Sequence, residues 1–141
     1  MKRYLLDLNV LLDLHLKRLP WATDAAAIWA AHKSGQIVAV CAAFSVPTIF
    51  YIIRQQTNLA TAQTAVNVSL GIEIAATDRA ALLSAEAMPG SDFEDNLQIA
   101  CAVQAGLDGI VTREPRGFAA APIPVLTPAD LVAALSAPPT P

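Results

Sequence analysis

Short continuous apolar runs and stretches of helical apolar spacing succeed one another along the chain, and this succession predicts a regular order of strands and helices. Residues 3–8 read as a first buried strand. A helical period follows from about Val10 to Leu16, and a second from about Asp24 to Lys33, stopped by Gly35. The β-branched stretch Gln36 to Cys41 reads as a second strand. The spacing then predicts a helix from Val46 to Gln55, with Ser45 as N-cap and Pro47 in the first turn, where a missing amide is tolerated. Asn58 caps a further helix to Leu70, and Gly71 ends it before a third strand, Ile72 to Ala75. Thr77 starts a helix to about Ala87. After the Pro89-Gly90 loop, Ser91 or Asp92 opens a helix to Ala105, which Gly106 terminates. Gly109 to Thr112 and Pro124 to Leu126 are fourth and fifth strands, and Thr127-Pro128 begins a last helix to about Leu135. Strands separated by helices throughout argue for a parallel sheet covered on both faces.

The chain has 141 residues, a length that suits one domain over residues 1–136 followed by a disordered Pro-rich tail, 137–141. Hydrophobic residues make up 55% and charged residues 15%, which argues against disorder and hints at a partner surface. A net charge of −3 gives no basic footprint for bulk attraction to nucleic acid, though a local patch is compatible with it. Cys41 and Cys101 lie in apolar context and read as buried free thiols of a reducing compartment. The apolar run before Asp7 is too short for a signal-peptide core and no window reaches the length of a membrane span, so the expected location is cytoplasmic.

Ligands of open parallel sheets bind outside the carboxyl ends of the strands. That rule selects Asp7 after the first strand, the Ser45 to Thr48 segment after the second, Asp92, Glu94 and Asp95 at a helix start, and Glu114 after Thr112-Arg113. Crowded carboxylates require a cation, and an all-oxygen set suits Mg²⁺ or Mn²⁺ rather than Zn²⁺. The quieter reading of Asp92, Glu94 and Asp95 is acids favoured by a helix dipole. Arg54, Arg113 and Arg116 are candidates for phosphate contacts, or equally for pairing with neighbouring acids. His15 and His32 lack zinc-site spacing, Trp21 and Trp29 read as core or subunit-contact residues, and Asp13 reads as a solvated helix residue near the pocket.

Three stretches, YLLDLNVLLDL, SDFEDNLQIACAVQAGLDGIVTRE and PIPVLTPADLV, resemble in that order the PIN-domain family, especially the small bacterial toxin ribonucleases of the VapC type. The resemblance covers roughly residues 3 to 135. It implies an α/β/α sandwich with a central parallel sheet and an acid cluster holding Mg²⁺ or Mn²⁺ for attack of water on an RNA phosphodiester. It further implies an endoribonuclease acting as toxin of a type II toxin–antitoxin pair, with a cognate antitoxin and a homodimer. On the matching positions Asp7, Asp95 and Glu114 would be catalytic, Asp7, Asp92, Asp95 and Glu114 would hold metal, and Asn9, Thr48, Thr112, Arg113 and Arg116 would contact substrate.

Two positions depart from the family pattern. Thr48 stands where a Glu usually opens the helix after the second strand, and Gly117 stands before Phe118 where an Asp is common. A hydroxyl ligates a divalent cation far more weakly than a carboxylate. Either the remaining acids suffice, or the chain is a catalytically reduced PIN-like module that binds RNA or protein. Phosphoacceptor domains also place an Asp after a first strand, but they need a late Lys, whereas the lysines here are Lys2, Lys17 and Lys33.

Overall fold

In a computed structural model, which describes residues 1–137, five parallel strands form one sheet in the order β3-β2-β1-β4-β5. They are β1 (Arg3–Leu6), β2 (Val38–Ala42), β3 (Glu73–Ala75), β4 (Gly109–Val111) and β5 (Val125–Leu126). Between and after them run α1 (Leu8–Leu16), α2 (Ala22–Lys33), α3 (Ser45–Gln56), α4 (Leu59–Leu70), α5 (Arg79–Glu86), α6 (Phe93–Gln104) and α7 (Pro128–Ser136). The chain builds outward from β1 to β3 and then returns to the other side of β1, so the β1/β4 boundary is a topological switch point.

The pleat sorts each strand's side chains into two cores. Leu5 of β1 is in register with Val40 and Ile110, and these three pack with α5 and α6 through Ala81, Ala85, Leu97 and Cys101. Tyr4 and Leu6, with Ala39, Cys41 and Val111, face the opposite layer and pack on α1, α2, α3, α4 and α7. This is the expected three-layer α/β/α sandwich with a parallel sheet. Both faces are buried, which is why the strands read as continuous apolar runs rather than alternating ones.

Element boundaries differ from expectation where a side chain is needed as a cap. The first strand stops at Leu6 because Asp7 is the N-cap of α1, its Oδ1 accepting from the Leu8 amide at 2.8 Å. Asp78, not Thr77, caps α5, while the Thr77 hydroxyl accepts from the Phe44 amide at 3.2 Å. Asp92 caps α6, and Gly106, at φ 67°, takes the left-handed turn that ends it. Ser45 does not cap α3. It is the first helical residue, is fully buried, and its hydroxyl accepts from Gln98.

Both cysteines are buried and free, as expected, and burial pushes the Cys41 thiol up to about 12. His15 is held toward its neutral form by burial, and His32 Nδ1 accepts from the Ala39 amide at 3.1 Å, so both histidines serve the fold. Residues 138–141 of the expected tail lie outside the described residues.

Candidate active site

Asp7 leaves the end of β1 at the switch point and is 6% exposed. Its carboxylate is fixed at both oxygens, Oδ1 by the Leu8 amide and Oδ2 by the Thr112 hydroxyl, each at 2.8 Å. Burial raises its affinity for a proton, these two donors oppose the rise, and the charges of Asp92 and Glu114 add to it. Thr112 follows β4 and is wholly buried, its hydroxyl also accepting from the Glu114 amide at 3.1 Å. A buried hydroxyl reaches no substrate, so the expected substrate contact is corrected to a residue that orients Asp7.

Across the cleft, Asp95 sits in the first turn of α6, its amide donating to the Asp92 cap at 3.1 Å. Partial burial, followed by the charges of Asp92, Asp7, Glu114 and Glu94, pushes the Asp95 carboxyl up to about 6. A Cβ built at Gly117 would lie 2.2 Å from Asp95 Oδ2, so the turn Pro115–Phe118 passes close over that carboxylate. The family's customary Asp side chain at this position would collide with Asp95 as placed here.

Asp7, Leu8, Asn9, Glu94, Asp95 and Gln98 line one open cleft of about 150 Å³. Asn9 Oδ1 also accepts from the Arg113 amide at 3.4 Å. Asp92 lines a neighbouring cavity with Arg116 and Gly117, and Glu114 another with Trp21 and Arg113. Both remain near enough for their charges to act on Asp7 and Asp95. Thr48 lines none of these cavities, and its hydroxyl donates to the Phe44 carbonyl of its own helix at 3.3 Å. Arg113 is taken up by the fold: Nε and Nη2 donate to Asp13 at 2.6 and 3.2 Å, and the guanidinium lies 3.9 Å from the Trp21 ring centroid. The phosphate role expected of Arg113 is therefore corrected to a structural one, and Asp13, expected in solvent, is buried between Arg113 and Arg18. Arg54 and Arg116 are exposed.

Among the described residues no three His, Cys, Asp or Glu side chains converge closely enough to hold a metal ion. The cleft is nevertheless lined by three carboxylate residues, Asp7, Glu94 and Asp95, and by the amides of Asn9 and Gln98, a donor set that fits Mg²⁺ or Mn²⁺, ions commonly bound by one or two carboxylates with water completing the shell. Gln98 was missed in the sequence. The available signal was its place one turn beyond Asp95 as a lone amide in the apolar run Leu97 to Val103.

The proton affinity of Asp95 predicts a pH-dependent penalty. An acid whose folded-state value is raised from 3.8 to about 6 favours folding while protonated, and that advantage fades as pH rises across this interval. Thermal melts in EDTA are expected to show Asp95→Asn gaining stability over wild type as pH climbs from about 4, with the difference levelling above about 6. A pH-independent difference would refute the assignment.

A family model described as the PIN domain matches residues 3–116. No curated protein matches in sequence. Among solved structures, the fold is similar to that of the sarcin–ricin-loop-cleaving toxin VapC20 of Mycobacterium tuberculosis, with TM-score 0.68 and 13% identity, covering 83% of this chain and 94% of that one. DNA-bound VapBC from Salmonella typhimurium gives TM-score 0.68 and 16% identity over 91% of this chain and 99% of that one. FitAcB from Neisseria gonorrhoeae gives 0.64 and 18% over 89% and 98%.

Proposed function

The chain belongs to the PIN-domain family, and from that membership we propose that it is a Mg²⁺- or Mn²⁺-dependent endoribonuclease, the toxin of a type II toxin–antitoxin pair. The observation that carries the reading is the convergence of Asp7 and Asp95 on one cleft at the β1/β4 switch point. In this reading Asp7, Asp95 and Glu114 are the catalytic acids, Asp7 and Asp95 hold the cation, and Asp92 and Glu114 add negative field at its edge. When bound, the cation makes hydroxide accessible near neutral pH and neutralises charge developing on the phosphate. Asp7 is presented in one orientation by Thr112 and Leu8, which removes reorganisation at the moment of reaction. Asn9 lines the cleft beside the scissile phosphate, and exposed Arg116 meets the RNA backbone, with Arg113 fixed behind it.

Complexes named VapBC and FitAcB among the similar folds support an antitoxin partner for this chain as well. The expected homodimer is part of the same proposal; Tyr51, Leu59 and Leu70 are apolar side chains exposed on α3 and α4. No helix among the described residues is long and apolar enough to cross a membrane. A cytoplasmic location is a separate part of the proposal, supported by two buried cysteines that stay free of a disulfide.

The test is isothermal titration of the protein with Mn²⁺ beside cleavage of a mixed RNA pool. Binding at millimolar concentration or below, with cleavage that EDTA stops, is expected; absence of both would sink the nuclease reading. Thr48, which lacks a carboxylate and whose hydroxyl donates to the Phe44 carbonyl, favours one second reading, a module that binds RNA or protein without cutting it. Thr48→Glu separates the two, since an otherwise competent scaffold should gain cleavage from the added carboxylate.

A further inference from the structure

We infer that Gln98, anchored by Ser45, supplies a neutral oxygen ligand to the divalent-cation site, so that α6 provides a ligand where Thr48 on α3 provides none. The inference rests on the nuclease reading's cation site and extends it to residues that reading does not use.

Gln98 is 2% exposed, yet it lines the same cleft as Asp7 and Asp95. Its Nε2 donates to the buried Ser45 hydroxyl at 3.0 Å, while its Oε1 has no partner. Buried amide oxygens without a partner are rare because the lost hydration is not repaid. If this position served packing alone, an apolar side chain of similar length would avoid that cost. Gln98 also lies one helical turn beyond Asp95 and Glu94, which places the three on one side of α6. An amide oxygen is a suitable hard ligand, and it adds a donor without adding negative charge to a cleft whose acids already raise one another's proton affinity. Asn96 makes the contrast clear. Its Oδ1 is likewise unpartnered, but its amide is tied to the carbonyls of Ala85 and Gly90, and it does not line the cleft.

The direction of the Gln98–Ser45 hydrogen bond decides which end of the amide is left for the cleft, because a serine hydroxyl can accept from Nε2, as here, or donate to Oε1. A reversed amide would present N–H donors to Asp7 and Asp95 and would make Gln98 a partner of the empty acids rather than of a cation. Substitution by Glu distinguishes the two, because a carboxylate replaces the oxygen ligand but cannot replace the donor.

The experiment is Mn²⁺ titration calorimetry on wild type, Gln98→Leu and Gln98→Glu, with thermal melts of each in EDTA. Gln98→Leu is expected to weaken Mn²⁺ binding about tenfold or more, an effect on the scale of altered metal-site support, without lowering the metal-free melting temperature. Gln98→Glu is expected to tighten Mn²⁺ binding, and as the near-isosteric variant it carries the test if the leucine variant does not fold. Unchanged affinity in Gln98→Leu, or weaker binding in Gln98→Glu, overturns the role of Gln98 while leaving the nuclease reading in place. A wild type that binds no Mn²⁺ overturns both.

Discussion

Asp7→Asn is expected to abolish Mn²⁺ binding and to lower RNA cleavage by at least about a hundredfold, while the metal-free protein melts at a higher temperature near neutral pH. The size of the activity loss follows from the several kcal/mol that a cation contributes to charge stabilisation in the transition state, each ~1.4 kcal/mol being tenfold in rate. The gain in stability has a separate cause. Asp7 is 6% exposed and faces the negative charges of Asp92 and Glu114, so burial holds its proton affinity above the ordinary carboxylate value. A group with that sign of shift favours folding below its unfolded value, and the advantage disappears as pH rises through the folded one. Asparagine keeps the shape and one acceptor oxygen, so the Leu8 amide can retain its partner while the Thr112 hydroxyl accepts from the new amide. Activity assays and melts in EDTA on the same preparation check both halves. A variant that loses activity because it unfolds, melting below wild type, would show that Asp7 is chiefly a cap of α1.

The opposed effects expected at Asp7 explain why that residue was legible in sequence while its support was not. A carboxylate after the run Tyr4-Leu5-Leu6 conflicts with local burial, and such a conflict is written in the sequence itself. The apolar runs likewise reveal five strands and the helices between them, because two-sided burial leaves continuous apolar segments. Strand order is not written locally. It depends on which side of β1 the chain returns to after β3, and this choice brings Asp95 opposite Asp7. The family resemblance implied a substrate contact at Thr112, yet this residue is wholly buried and its hydroxyl donates to Asp7, 105 positions earlier. Ser45 looked like a cap because hydroxyls favour helix starts, yet a buried amide 53 positions later takes its oxygen. In both cases the expected role was overridden by a long-range polar partner inside the core.

Asp13 shows the same override with the largest expected consequence for stability. Asp13→Asn is expected to destabilise the protein by about 2–3 kcal/mol in urea denaturation, below the ~3–5 kcal/mol of a fully buried pair because its two arginine partners keep some solvent. The carboxylate is 1% exposed near the end of α1. Its Oδ1 accepts from Arg18 Nε at 2.9 Å, and its two oxygens together accept from Arg113 in a bidentate fork. Asparagine leaves two guanidinium groups facing one another with no counter-charge, and its own N–H group adds a donor where both neighbours are donors. The effect reaches the cleft, because the Arg113 amide holds Asn9 Oδ1 and the next residue is Glu114. A looser Arg113, freed also from Trp21, should therefore weaken Mn²⁺ binding by about tenfold, comparable to loss of an outer-shell support. Replacing Asp13, Arg18 and Arg113 together by apolar residues of similar size is expected to recover most of the stability but not the cation affinity. Recovery of both would mean that this ion cluster serves only the fold; recovery of stability alone ties Asp13, through Arg113 and Asn9, to the cleft.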